Sequence, residues 1–426
     1  MDRLLITGGR KLEGTLAISG AKNAALPLIA ATLLTGDTLE LRNVPELADV
    51  VSMMRLVQRL GVASTYLPGE PGRVAFHCQE LLSTTAPYDL VRKMRASVLV
   101  LGPLLARGGE AIVSMPGGCA IGTRPIDLHL SGMERLGAII ELSQGYVTAR
   151  APAGGLKGAR IELTQPSVGA TENLLMAAAT AKGTTTIIGA AREPEIVDLA
   201  LLLSSMGAAI EGAGTSTITI EGVAQLHGAV HSIMPDRIEA GTYVMAAGIT
   251  GGRLHITGGD LGLLGGAREK LEEAGLQFTD TADGFAVSVA SEGLRGTDVM
   301  TRPYPGFPTD LQAQFMALMC NAEGASMITE TIFENRFMHV PELARMGAQI
   351  TIHGGSALVR GQGARGTTLR GAPVMATDLR ASVSLVLAAL AAEGETEINR
   401  IYHLDRGYEH LEQKLQAVGA CVERIP

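Results

Sequence analysis

Two interleaved series of glycines set the period of this chain. One runs Gly61, Gly137, Gly207, Gly275, Gly347 and Gly419, and the other Gly36, Gly109, Gly183, Gly252, Gly324 and Gly394. Within each series, neighbours stand about 70 residues apart, the signature of one supersecondary unit repeated in tandem. At that spacing the 426 residues hold six units. A third marker, Leu-x-Gly, opens most of them, as at Leu12-Glu13-Gly14, Leu156-Lys157-Gly158, Leu226-His227-Gly228, Leu294-Arg295-Gly296 and Leu369-Arg370-Gly371. Glycine accepts the left-handed backbone cheaply, so both series are expected to close helices. Between the markers the grammar repeats. The Asn173–Ala181 stretch has helical character, Thr184–Ile188 is β-prone, and Ser216–Ile220 alternates as a strand does. Each unit therefore reads strand, helix, strand, helix, strand, strand.

A unit of this size encloses little core, so the units must pack on one another. The first helix of each is rich in Ala and Leu around much of its circumference, which predicts a buried helix with the sheets outside. The units divide most simply into two domains of three. Aromatic residues are only 3% of the chain and Trp is absent, which leaves no stacking platform for bases. A net charge of −8 offers no general attraction to a phosphate backbone, so no nucleic-acid partner is expected. No apolar run approaches the ~18 residues of a membrane span. The Met1–Gly9 segment lacks the apolar core of a signal peptide, so the cytoplasm is the expected compartment and no membrane is involved. Cys78, Cys119, Cys320 and Cys421 are far apart and show no C-x-x-C spacing, which predicts neither zinc nor disulfides. The sequence has no G-x-x-x-x-G-K loop, and the glycine cluster at Gly258–Gly266 reads as a loop and helix start.

The repeat also serves as a ruler. Fourteen residues before each glycine of the second series lie Lys22, Arg95, Gly169, Ile238, Asp310 and Arg380, all at the expected strand-to-helix turn. A cation at a helix N-terminus opposes the helix dipole, so Lys22, Arg95 and Arg380 serve something other than helix stability. Arg124, Arg336 and Arg406 stand before the second helices of their units. If equivalent helix ends converge, these cations suit a ligand with several phosphates or carboxylates. Asp310 is either an ordinary N-cap or a group with a chemical task. Cys119 lies in the Gly-rich stretch Pro116–Pro125 close to Arg124, a setting that favours thiolate. Cys320, by contrast, reads as a small buried hydrophobe.

At these residues the sequence resembles the enolpyruvyl transferase family over essentially its whole length. The resemblance is carried by Ser19-Gly20-Ala21-Lys22-Asn23-Ala24, Met94-Arg95-Ala96-Ser97, Pro116-Gly117-Gly118-Cys119, Arg124-Pro125-Ile126-Asp127-Leu128-His129, Ala191-Arg192-Glu193-Pro194-Glu195, Phe307-Pro308-Thr309-Asp310, Phe333-Glu334-Asn335-Arg336-Phe337 and Asp405-Arg406-Gly407-Tyr408. It implies an α/β fold of two inside-out barrel domains with three units in each. One would span residues 22–234 and carry the Cys119 loop, and the other would join residues 1–21 to 235–426. It implies transfer of the enolpyruvyl group of phosphoenolpyruvate to the 3′-hydroxyl of UDP-N-acetylglucosamine, the first committed step of peptidoglycan synthesis, without metal or organic cofactor. Cys119 would protonate the methylene carbon, and Asp310 would be the base. Lys22, Asn23, Arg124, Arg380 and Arg406 would bind phosphoenolpyruvate. Arg95, Arg124, Pro125, Ile126, Asp127, Leu128, Ser167, Val168, Gly169, Asp310 and Ile332 would bind the UDP-sugar. Fosfomycin is the expected covalent inhibitor at Cys119. The Pro-Gly-Gly-Cys loop separates this reading from the sibling reaction on shikimate 3-phosphate. One position departs from some relatives: Gln165 stands where they carry a base two residues before the Ser-Val-Gly turn.

Overall fold

The computed structural model describes residues 2–115, 125–363 and 369–426. These form two compact units, one of residues 2–19 with 235–426 and the other of residues 20–234. The chain passes from one unit to the other between Ser19 and Gly20, and returns between Met234 and Pro235. Gly20 and Ala21 thus lie with the second unit, where the Ala21 N–H donates to the Met234 carbonyl at 2.7 Å.

Six helices begin where the ruler put them. In the unit of residues 20–234 these are α1 (Lys22–Ala31), α2 (Leu101–Gly108, led in by a 3-10 stretch from Arg95 to Val100) and α3 (Val168–Ala178). In the other they are α4 (Arg237–Thr250), α5 (Gln312–Cys320, led in by the 3-10 turn Thr309–Leu311) and α6 (Leu379–Ala391). Their Ala- and Leu-rich sequences are buried nearly all round. Every residue of α5 is buried, as is every residue of α3 from Ala170 onward. A helix with no polar face cannot sit at a surface, so these helices form the centre of each unit.

The sheets cover them. Each is four-stranded, and the pattern is clearest in Arg160–Glu162, Thr184–Ile188, Thr217–Glu221 and Ala209–Glu211, in that order across the sheet. The first two strands are parallel, as a helical crossover requires, and the others are antiparallel. Ile218 and Ile220 face the core, whereas Thr217 and Glu221 face solvent, the alternation of a sheet covered on one side. Each unit of the molecule has one hydrophobic core.

Three sheets differ from the tandem grammar. By the tandem grammar alone, Glu13–Ala17 would open the sheet of its own repeat, whereas the resemblance implies that residues 1–21 join residues 235–426. The strand runs parallel to Arg253–Thr257, and Val230–Ser232 runs parallel to Thr38–Arg42. The two first strands have changed places. Arg3–Thr7 also lies between Glu395–Asn399 and Cys421–Ile425, antiparallel to both, and completes the last sheet. Repeated strands carry the same alternation and compete for the same edge, so local pattern alone does not choose between the partners.

The glycine series is mostly as expected: Gly207, with φ 104°, follows the helix Pro194–Ser205 in the left-handed region. Gly36 and Gly252 are the exceptions, since neither has a positive φ. Gly251 takes the left-handed turn after α4 (φ 62°), and Gly252 is needed because a Cβ there would collide with the Leu12 carbonyl oxygen. Among the described residues, no helix is long and apolar enough to cross a membrane, and no group of three or more His, Cys, Asp or Glu side chains could hold a metal ion.

Candidate active site

In the unit of residues 235–426, the starts of α5 and α6 bring three predicted charges together. Asp310, a quarter exposed, places Oδ1 2.8 Å from Arg336 Nη2 and Oδ2 3.3 Å from Arg380 Nη2. Asp310 is not a helix cap. Leu311 occupies the N-cap position of α5 and makes no side-chain capping bond, while the Asp310 carboxylate is turned to the two guanidiniums. Burial pushes its pKa up, but Arg336, Arg380 and the field of Arg237 outweigh that and hold it far below the usual carboxylate range. The group is therefore ionised at any physiological pH, and in this arrangement it is a weak base.

Arg380 is buried behind the carboxylate, and its guanidinium carbon lies 5.5 Å from the Tyr408 ring centre. The Tyr408 hydroxyl meets Thr242 Oγ1 at 3.0 Å and accepts from Gln314 Nε2 at 3.1 Å. Gln314 also donates to the Asp310 carbonyl at 2.8 Å. Thr242, Gln314 and Arg380 come from α4, α5 and α6, so this network ties the three helix heads together. Asp378 caps α6, accepting from the Arg380 and Ala381 N–H groups at 2.8 and 3.0 Å. That carboxylate offsets the conflict between Arg380 and the helix dipole. Arg406 closes the 3-10 stretch Ile401–Arg406, where burial and then its own charge lower the pKa of His403. Ile332 sits in the turn after strand Glu323–Thr329, its N–H donating to Glu330 Oε1 at 2.8 Å.

In the unit of residues 20–234, Lys22 opens α1 and is buried against Asp49, Nζ to Oδ2 2.6 Å. Asp49 lies in the first turn of the helix Ala48–Leu60. Asn23 beside Lys22 is half-buried. Arg95 begins the 3-10 stretch before α2 and donates to the Pro125 carbonyl at 3.3 Å. Pro125 and Asp127 are exposed, whereas Ile126 and Leu128 face inward, as expected where the helix Asp127–Arg135 begins. Ser167 caps α3, its Oγ accepting from the Ala170 N–H at 3.4 Å. Val168 and Gly169 follow in the first turn, and a Cβ on Gly169 would stand 3.2 Å from the His129 ring. Gln165 is exposed just before this turn.

The residue that joins these pieces is Asn173, which sequence reasoning missed. Fully buried in α3, it donates to the Val98 carbonyl (3.0 Å), meets His129 Nδ1 (2.9 Å) and accepts from the Gly102 N–H (2.8 Å). Its signal was a polar side chain within an Ala- and Leu-rich helix. Cys119 and Arg124 lie outside the described residues. Cys320 is buried, and burial pushes its thiol up to about 12, while Cys78 is buried and also raised.

The architecture and the helix-head charges define a class. The family model described as EPSP synthase (3-phosphoshikimate 1-carboxyvinyltransferase) matches residues 6–415, and the chain belongs to that family. Its fold is that of the enolpyruvyl transferases. The enolpyruvyl transferase NikO from Streptomyces tendae is similar at a TM-score of 0.88 and 27% identity, covering 100% of this chain and 99% of its own. EPSP synthase from Acinetobacter baumannii shares the fold, with a TM-score of 0.75 at 18% identity and 100% coverage of both chains. Curated relatives are more similar in sequence. UDP-N-acetylglucosamine 1-carboxyvinyltransferase of Granulibacter bethesdensis is 62% identical, with 100% of both chains covered. The enzyme of the same name from Rhodospirillum centenum is 61% identical, covering 100% of this chain and 99% of its own.

Proposed function

We propose that this transferase moves the enolpyruvyl group of phosphoenolpyruvate to the 3′-hydroxyl of UDP-N-acetylglucosamine and releases phosphate, the first committed step of peptidoglycan synthesis. Full-length identity of 62% to a relative bearing that name supports the substrate pair. The observation that carries the chemistry is the Asp310 carboxylate held ionised between Arg336 and Arg380. An ionised acceptor beside anion-binding cations is what addition of an alcohol to a phosphorylated enol requires.

The reaction proceeds by addition and elimination. Cys119 gives a proton to carbon 3 of phosphoenolpyruvate, and carbon 2 becomes oxocarbenium-like. The sugar 3′-oxygen bonds to carbon 2 while Asp310 receives the hydroxyl proton. A proton then passes from carbon 3 back to the Cys119 thiolate, the double bond re-forms, and the carbon–oxygen bond to phosphate breaks. Lys22, Asn23, Arg124, Arg380 and Arg406 take the phosphate and carboxylate of phosphoenolpyruvate, offsetting charge through the tetrahedral intermediate. Arg95, the Arg124–Leu128 segment, the Ser167–Gly169 turn, Asp310 and Ile332 receive the UDP-sugar. The free α3 N–H groups suit its diphosphate without a charge at Gln165. When the anionic substrate draws Arg380 toward itself, Asp310 loses part of its electrostatic hold and its basicity rises when a base is needed. The cytoplasm is the compartment that fits a phosphoenolpyruvate-consuming step, and fosfomycin fits as a covalent inhibitor at Cys119.

The test is phosphate release from phosphoenolpyruvate with UDP-N-acetylglucosamine, with shikimate 3-phosphate, or with neither. Release only with the UDP-sugar is expected. Release with shikimate 3-phosphate instead assigns the sibling reaction, and release with neither acceptor overturns the transferase reading of these residues.

A further inference from the structure

Behind Asp310 lies a buried carboxylate with no part in the chemistry above. Glu330 follows the strand Glu323–Thr329. Its Oε1 accepts from Thr301 Oγ1 and the Ile332 N–H, both at 2.8 Å, and from the Phe333 N–H at 3.2 Å. Its Oε2 accepts from Thr309 Oγ1 at 2.8 Å. Thr309 Oγ1 in turn accepts from Arg336 Nη1 at 2.8 Å, and the same guanidinium reaches Asp310 through Nη2.

The polarity of this chain is forced. An ionised carboxylate only accepts, and a hydroxyl has one proton, so Thr309 must donate to Glu330 and present its lone pairs to Arg336. Arg336 is thereby fixed along one edge by Thr309 and aimed at Asp310 along the other. We infer that Glu330 is a positioning residue for the transfer reaction: through the Thr309 hydroxyl it locks Arg336, and so sets the direction and basicity of Asp310. This rests on Asp310 being the base. Arg336 is not among the groups assigned to phosphoenolpyruvate, so this lock holds Asp310 when substrate draws Arg380 away.

Glu330→Gln tests the lock. The amide oxygen still accepts from the backbone N–H groups, but the amide nitrogen cannot accept from Thr309. Turnover should fall about 10- to 100-fold, the effect of misplacing a catalytic group, with a smaller change in KM for the UDP-sugar. The acidic limb of the kcat profile should move to higher pH as the hold on Asp310 slackens. Thr309→Val should reproduce the loss, and Thr309→Ser should restore turnover to within about threefold, since the hydroxyl alone is required. In the double variant with Asp310→Asn, turnover should be no lower than in Asp310→Asn alone, because both changes act on one base. An inactive Asp310→Asn beside a normal Glu330→Gln overturns the inference and leaves the base assignment standing. A normal Asp310→Asn overturns both. Additive losses that track a fall in melting temperature, with an unchanged pH profile, make Glu330 a stabilising residue only and also overturn the inference.

Discussion

Asp310 combines a charge that is certain with a basicity that is suppressed. Its two arginine contacts explain both, and they make its role separable from binding. Asp310→Asn should leave UDP-N-acetylglucosamine affinity within a few-fold by calorimetry while lowering turnover by more than about 100-fold, the lower end of the range for loss of a general base. Near-normal turnover would reduce Asp310 to a structural anchor. Cys119 belongs to the same scale. Fosfomycin should label Cys119 alone, faster with UDP-N-acetylglucosamine present, and peptide mass spectrometry reads the site. The buried Cys78 and Cys320, with thiols raised by burial, are poor competitors. Cys119→Asp should retain turnover and lose fosfomycin sensitivity, because a carboxylic acid still donates a proton. Of this cluster of side chains, Asp310 and Arg380 were legible because one repeat position marks both, and Arg336 because it stands before the second helix of its unit. Glu330 and Asn173 were not, since a buried acceptor is defined by donors that only the fold assembles.

At the scale of elements, the glycine periods located all six inner helices because most of these helices are followed within a few residues by a glycine that takes the left-handed backbone or, at Gly252, permits a close approach. The same periodicity misassigned the strands Glu13–Ala17 and Val230–Ser232, whose partners sit in the sheets of other repeats. Helix position is a local property, whereas strand partnership is decided by which edge lies nearby. The ties between elements are equally non-local, and Asn173 is the clearest case. Asn173→Ala removes three hydrogen-bond contacts from a fully buried site, leaving the Gly102 N–H without its acceptor. It should cost roughly 2–4 kcal/mol in urea unfolding. It should also weaken UDP-sugar binding more than phosphoenolpyruvate use, since His129 and the α3 turn lose their common tie. A variant with undiminished sugar affinity would detach this network from the nucleotide.

For the whole molecule, the point where the chain leaves the unit of residues 235–426 is sensitive to pH. The Ser19 N–H donates to Glu239 Oε2 at 2.7 Å, Lys414 Nζ reaches Glu239 Oε1 and Ser19 Oγ at 2.6 Å each, and Ser19 Oγ also bonds Glu409. Burial raises the Glu239 carboxyl to about 7, against the pull of Lys414 and with Asp236 reinforcing the rise. A raised carboxyl holds a proton in the folded state that the unfolded chain has already released. Its contribution is complete below about pH 4.5 and is lost as pH rises through about 7. Between pH 5 and pH 8 this costs about 2–3 kcal/mol of unfolding free energy. Glu239→Gln should flatten the dependence, measured by denaturant titration at the two pH values. An unchanged slope would show that Glu239 titrates as in the unfolded chain.

The exchanged strands also impose an order on synthesis. Arg3–Thr7 and Glu13–Ala17 emerge first, yet their partners end at Thr257, Asn399 and Ile425. At 5–20 residues per second, the earliest strand waits about 20–80 s for its last neighbour. Until its own partner emerges, each strand presents an unpaired backbone edge, the form most open to capture by another nascent chain or a chaperone. The intervening unit of residues 20–234 meets its own last strand, Val230–Ser232, much sooner and is free to fold while the leading segment still has no place to dock.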